Sequence, residues 1–351
     1  MKKITLLLTA LLLSPALLAL RPAGTTVKFA PADGTSLTKT FENKSSLTLE
    51  EYTMTGAGAA PDMEMTLTTS QKVTITDDYV TVKGGSPKKL VRLYDELAGD
   101  SSMAMKMSVM GQTHDNTQNM RMKSELEGKK VVFTWDAEKE AYTKKLDPDE
   151  DKPKLLKDLS EDMDFRSLLP DKEVAEADEW EVPMKGLREV FSPGGGLSMV
   201  PETSDSSSMQ LGSEMSSMSN MIGDKLEGSA KAKLASLKEV DGRNCAVIQV
   251  TLDVRSDADM TEAARKMIEE GEMPPGVDEL EIDHLDIEFR FEGEGELVWD
   301  LAAGHFKSFT LSGQASIKSD QGVKLSAAGR KMEISETRKM SGTTSYSASA
   351  K

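Results

Sequence analysis

The chain of 351 residues carries 43 Lys and Arg against 59 Asp and Glu, a formal charge of -16, with three His, one Cys, 22 Met and only 5% aromatic residues. A chain this acidic, with no Lys/Arg cluster, argues against a nucleic-acid footprint or an anionic-lipid patch, because both need cations to displace counterions. One Cys excludes a disulfide scaffold and, beside so few His, argues against zinc held by Cys and His alone. At 38% apolar and 29% charged, the chain can bury a sizeable core.

Residues 1–20 have the layout of a secretory signal peptide. Lys2 and Lys3 form a basic start, Ile4 to Leu13 are apolar apart from Thr9, Ser14 and Pro15 break the run, and Ala16 and Ala19 offer cleavage positions. Removing them takes the charge to -18. No Cys follows the apolar run, so lipid attachment at a new N-terminal Cys is not expected. No later run reaches 18 apolar residues, so the cleaved chain is expected to be extracytoplasmic, periplasmic or secreted, without a membrane span.

Residues 25–146 read as a first β-rich unit. Apolar residues alternate at Leu47 and Leu49, at Met63, Met65 and Leu67, and at Val73, Ile75, Val80 and Val82, with Thr between many of them. Further strands are expected at Met103 to Val109, Asn119 to Leu126, Val131 to Trp135 and Ala141 to Lys145. Between them, Ser86 and Pro87 read as a helix start followed by Leu90, Leu93, Tyr94 and Leu97 at helical spacing, with Gly99 as terminator. One helix is therefore expected to interrupt the strands.

Residues 147–224 read as a connecting segment. Leu155, Leu156 and Leu159 suggest a short helix, and Leu168, Val174, Trp180, Val182, Leu187 and Val190 offer apolar surface to pack on a neighbour. Beyond Pro193 the chain becomes Ser- and Met-rich without period, as a linker does.

Residues 225–340 repeat the first order. Strands from Gly228 to Val240 and Asn244 to Val254 flank an Asp241-Gly242 turn. A helix capped by Asp259 follows, ended near Gly271, Pro274 and Pro275, and strands resume at Leu285 to Phe291, Glu296 to Trp299, Phe306 to Leu311, Ala315 to Lys318 and Val323 to Glu333. Residues 341–351 are small and polar and are expected to fray. A local match ties the halves together: Trp135 and Asp136 precede Tyr142 as Trp299 and Asp300 precede Phe306, each reading as a hairpin with a structural Asp turn and an aromatic return. Duplication and coincidence are about equally consistent with that match.

Two β-rich stretches, each with one helix and such a hairpin, resemble the half-barrel of periplasmic lipoprotein carriers and related lipid-binding lipoproteins. They also resemble secreted bacterial families of unknown function, whose C-terminal halves read much like Gly295 to Gly313. The resemblance implies a mainly β fold of two antiparallel half-barrel-like units, each crossed by one helix, and an apolar concavity for acyl chains; it transfers no site residue.

Chemical motifs are few. Met103, Met105 and Met107, with Met110 nearby, and Met215, Met218 and Met221 carry soft thioethers suited to Cu(I), with His114 the one His near them in sequence. Strand methionines at period two equally line an interior. Asp147, Asp149 and Asp151 lack the Gly and Glu of a calcium loop, having Lys152 and Asp158 there. Ser36-Lys39 and Ser86-Lys89 satisfy S-x-x-K without the companion motifs of that hydrolase class. Cys245 reads as a packed residue, and His284 and His305 as structural.

The expected function is therefore non-catalytic and needs no cofactor or metal. The chain is expected to bind a lipid-like apolar or amphiphilic ligand, or a protein partner, in a concavity lined by Met63, Met65, Leu67, Met103, Met105 and Met107. The rival readings are a structural cell-envelope protein without a ligand and a Met-based Cu(I) binder.

Overall fold

The computed structural model describes residues 24–56, 62–109, 112–202, 226–270, 277–327 and 329–351. The segment read as a signal peptide, most of the Ser/Met-rich run with Met215, Met218 and Met221, and Met110, Gly271, Pro274 and Pro275 lie outside these residues.

Strand dominates. β1 (Thr35–Thr55), β2 (Asp62–Lys83), β3 (Ser86–Val109), β4 (Gln112–Ser124), β5 (Lys130–Asp136) and β6 (Ala141–Asp147) come first. A connecting segment carries α1 (Pro153–Leu156), β7 (Glu179–Glu181), α2 (Arg188–Phe191) and β8 (Met199–Pro201). The chain continues through β9 (Glu227–Val240), β10 (Arg243–Asp259), α3 (Thr261–Glu270), β11 (Glu279–Asp300), β12 (His305–Ala327) and β13 (Arg330–Ala350). All thirteen strands belong to one antiparallel open sheet in the order β6-β5-β3-β2-β1-β13-β12-β11-β10-β9-β7, with β4 beside β3 and β8 beside β4. The two groups of strands meet where β1 pairs with β13, from Lys39 opposite Ala350 to Thr55 opposite Ser335.

Turn chemistry sets the hairpins. Gly84 and Gly85 link β2 to β3, and Asp241 and Gly242 link β9 to β10, all four with positive φ. Two positive-φ residues give the mirror-image turn whose twist matches paired strands, which is why Gly and Asp hold those positions. Along the strands one face is consistently covered: Val250, Leu252 and Val254 on β10 are buried while their neighbours are exposed. A single apolar core runs through both strand groups and takes in Met163, Phe165, Leu168, Val182, Leu187 and Val190 of the connecting segment. Each fully buried aliphatic or Phe side chain contributes roughly 1.5–3 kcal/mol.

Two expectations are corrected. No helix lies at Ser86 to Gly99, because those residues are the start of β3. Leu90, Tyr94 and Leu97 are buried as the reading required, but the inward strand position between the first two is filled by a buried arginine, Arg92. A register shift then opens at Asp95, since Tyr94 faces Ile75 and Glu96 faces Thr74. A charge on the apolar phase followed by a bulge turns a period-two pattern into an apparent helical one. The second helix stands: α3 is real, and the Asp259 carboxylate accepts from the Thr261 amide at 2.9 Å.

The expected fraying of residues 341–351 is also absent. Residues 341–350 form the end of β13 in the middle of the sheet, hydrogen-bonded to β1 on one side and β12 on the other. Small residues are what this place admits. A Cβ on Gly342 would lie 1.9 Å from the Ser46 carbonyl oxygen, and one on Gly313 would lie 2.1 Å from that of Glu292.

Candidate functional site

The connecting segment is a strap across the buried face. At one end β7 pairs with β9, Trp180 opposite Ala232; at the other β8 pairs with β4, Val200 opposite Lys123. On the stretch that precedes β7, residues 160–166, the strap is fixed by charge. Lys39 of β1, Asp77 and Tyr79 of β2 and Arg92 of β3 occupy adjoining inward positions, Lys39 opposite Ile75 and Asp77 opposite Arg92. Lys39, Asp77, Arg92 and Asp164 of the strap are all fully buried. Lys39 Nζ donates to Asp77 Oδ2 at 2.9 Å, to Asp164 Oδ1 at 2.6 Å and to the Tyr79 hydroxyl at 2.5 Å. The Tyr79 hydroxyl donates to Asp164 Oδ2 at 2.7 Å.

Arg92 grips Asp77 with two parallel bonds, Nε to Oδ1 at 2.7 Å and Nη2 to Oδ2 at 2.9 Å, and donates to the strap carbonyls of Ser160 at 3.0 Å and Glu161 at 2.7 Å. Two cations and two carboxylates cancel, so the buried group is neutral as a whole, the condition under which buried ions are tolerated. Burial pushes the Asp77 carboxyl upward, but the Arg92 and Lys39 charges outweigh it and hold that carboxyl below its ordinary value. Burial and the Asp164 carboxylate keep the Tyr79 phenol protonated. Beside this group, Glu161 accepts from Arg166 at 2.5 Å through Oε2, while its buried Oε1 has no partner. Burial raises Glu161 to about 7 against the pull of Arg166.

Next to this latch the strap and sheet leave a cavity of about 280 Å³. Its sheet side is built from Phe41, Asn43, Ser45 and Leu47 of β1, Leu67 and Val73 of β2, Phe309, Ala315 and Ile317 of β12, and Thr344, Tyr346 and Ala348 of β13. Its strap side is Phe165, Val190, Phe191, Leu197 and Met199. Aromatic side chains pack against one another in its lining: Phe191 meets Tyr346 edge-on at 5.7 Å and 77°, and Phe165 lies against Phe309 at 4.4 Å. The volume lies at the low end of the roughly 300–1,000 Å³ typical of small-molecule sites. No protein-family model matches the chain, and no curated protein matches it. What the site can do is therefore argued from its geometry.

Sequence reasoning placed the ligand lining elsewhere on the same face. Met63, Met65 and Leu67 lie directly opposite Met107, Met105 and Met103 in the β2–β3 pairing. Of these six, only Leu67 lines the cavity; Met65 is buried and the others are partly covered. The hairpin aromatics stand in register, Trp135 opposite Tyr142 with rings 5.1 Å apart, and Trp299 opposite Phe306. Asp136 accepts from the amides of Glu138 at 3.1 Å and Lys139 at 3.3 Å, and Asp300 from those of Ala302 at 3.0 Å and Ala303 at 2.8 Å.

Ser36 and Lys39 form no dyad. Ser36 donates to Asp78 at 2.6 Å, whereas Lys39 points into the buried latch. Among the described residues no group of three His, Cys, Asp or Glu could hold a metal ion, and no helix is long and apolar enough to cross a membrane.

The latch residues were the ones missed, although a signal was there. Lys39 sits between Leu37 and Phe41, Asp77 between Ile75 and Tyr79, and Arg92 between Leu90 and Tyr94. A charge on the apolar phase of three strands marks a buried ionic group.

Proposed function

We propose that this protein binds a small or single-chain apolar or amphiphilic molecule between strap and sheet and performs no chemistry on it. The observation that carries the reading is the cavity beside a strap held by a neutral buried ion group, because a strap fixed by charge covers a ligand space without filling it. The layout of residues 1–20 supports an extracytoplasmic location, and the resemblance to half-barrel lipoprotein carriers supports a lipid-like ligand. A structural envelope protein with a filled interior is the rival, and the empty volume weighs against it.

Native mass spectrometry of protein purified from its own source, with titration by the apolar fluorophore N-phenyl-1-naphthylamine, tests the proposal. A lipid-sized adduct and saturable fluorescence are expected. Leu67→Trp and Ala315→Phe, which put bulk into the cavity, are expected to abolish the fluorescence. No adduct and no probe binding by the wild type would refute the reading.

A second reading has one observation of its own. In the β2–β3–β4 register Met63, Met107 and His114 stand in one row, with Met65 and Met105 in the next. Directly opposed residues have Cβ atoms about 4.5–5.5 Å apart, close enough for two thioethers and an imidazole to share one Cu(I). Competitive Cu(I) titration against bathocuproine disulfonate, with wild type compared to Met63→Leu/Met107→Leu, decides it. Equal affinities would remove the site.

A further inference from the structure

The cavity lining contains two charged residues, Glu42 and Asp100. Both alternate with inward-facing neighbours, Glu42 between Phe41 and Asn43 and Asp100 after Gly99, so their charges lie on the opposite face. Their ion pairs agree: Glu42 lies 3.5 Å from Lys44, itself two residues along that outer face, and Asp100 lies 3.8 Å from Arg121. The cations on the inward face of the sheet beside it, Lys39 and Arg92, are committed to Asp77 and Asp164. No charged side chain therefore faces the enclosed space among the described residues. An ionised group brought there would be buried without a counter-charge, which is among the most unfavourable placements in a protein.

The polar side chains on the sheet side of the enclosed space are Asn43, Ser45, Thr69, Gln71, Thr344 and Tyr346, with Asn43 opposite Gln71 and Ser45 opposite Thr69. Ser45 and Thr344 bond each other at 2.9 Å. The Asn43 side chain is the hydrogen-bond neighbour of the half-buried Tyr346 phenol. Asn43 Oδ1 is buried and has no partner, the one such lining atom among the described residues. A buried acceptor without a donor is costly, and a ligand that supplies the donor removes the cost.

We infer that the ligand is an uncharged amphiphile whose head group donates a hydrogen bond to Asn43, as a long-chain alcohol does, and that fatty acids and phospholipid head groups are excluded from the enclosed space. This rests on the cavity-binding reading above and adds the chemistry of the head group to it.

Displacement of N-phenyl-1-naphthylamine from the full chain at pH 8 separates the two. Dodecanol, dodecanoate and dodecyl methyl ether have matched chains and differ at the head. Dodecanol is expected to displace the probe at about tenfold or more lower concentration than dodecanoate, and several-fold lower than the ether, which cannot donate. Asn43→Leu should erase the preference for alcohol over ether while the ether's own affinity holds or improves. Dodecanoate binding as tightly as dodecanol, or an ether equal to the alcohol in wild type, would overturn the inference while leaving cavity binding intact. Absence of binding by the probe and by all three competitors would instead sink the underlying reading.

Discussion

Replacing Lys39 by Met keeps the aliphatic stem and its packing but deletes the ammonium. That ammonium lies within 2.9 Å of Asp77, 2.6 Å of Asp164 and 2.5 Å of the Tyr79 hydroxyl, all without solvent contact. The variant retains Arg92 against two buried carboxylates and so carries one uncompensated negative charge. Breaking a buried pair by removing one partner costs about 3–5 kcal/mol, a large share of the roughly 5–15 kcal/mol that separates folded from unfolded domains. The loss should depend on pH. The stranded carboxylates bind a proton more readily in the folded variant than in its unfolded chain, so the penalty is smallest near pH 4–5 and grows as pH rises through the raised folded value.

Urea unfolding followed by tryptophan fluorescence at pH 5 and pH 8 measures both effects. Lys39→Met/Asp164→Asn, which restores neutrality, should recover a substantial part of the loss, giving a coupling energy outside the additive range. The same single variant should release N-phenyl-1-naphthylamine faster, because Asp164 and cavity-lining Phe165 are neighbours on the strap. A pH-independent change below about 1 kcal/mol, the range of exposed pairs, would refute the claim that a buried ionic latch holds the strap.

Because burial raises Glu161 to about 7, the folded chain holds that proton over a range in which the unfolded chain has lost it. Its contribution is present below the ordinary Glu value and lost as pH rises through about 7, and Glu161→Gln should flatten stability between pH 5 and pH 8; an unchanged profile would count against the assignment. Trp299 is fully buried and donates to the Lys28 carbonyl at 3.2 Å, so Trp299→Phe should cost about 1–3 kcal/mol and loosen the N-terminal stretch around Phe29, read as faster amide exchange there. Cys245 is buried and its thiol is pushed up by burial and the Asp300 charge; it should stay unreactive to a thiol reagent until the chain unfolds, and prompt labelling of the native protein would contradict that packing.

The mainly β character was legible because Thr, Val and Met alternate along one-sided strands such as β2. The lengths were not. The sequence breaks β11 and β12 into short runs because glycine takes inward positions, Gly293 and Gly295 on the first and Gly313 on the second, and an apolar count sees a gap where the ladder is continuous. Arg92 and the bulge after Tyr94 disguised a strand as a helix for the related reason that a buried charge breaks the pattern. The cavity was the least legible part. Its strap side comes from residues such as Phe165, Phe191 and Leu197, whose spacing has no period, and only the three-dimensional path of the strap brings them over Leu67 and Ile317.

The seam between β1 and β13 also governs how the molecule can be made. Ser45 and Thr344 touch across 299 positions of sequence, so the central ladder is the pairing with nearly the longest reach and should be late to form. Until then the facing edges of β1 and β13 are long, unpaired and able to recruit strands from other chains. Truncation within β13 should therefore produce aggregation rather than a slightly shorter native protein, and a peptide copying residues 330–350 is the natural agent for suppressing it by completing the sheet in trans.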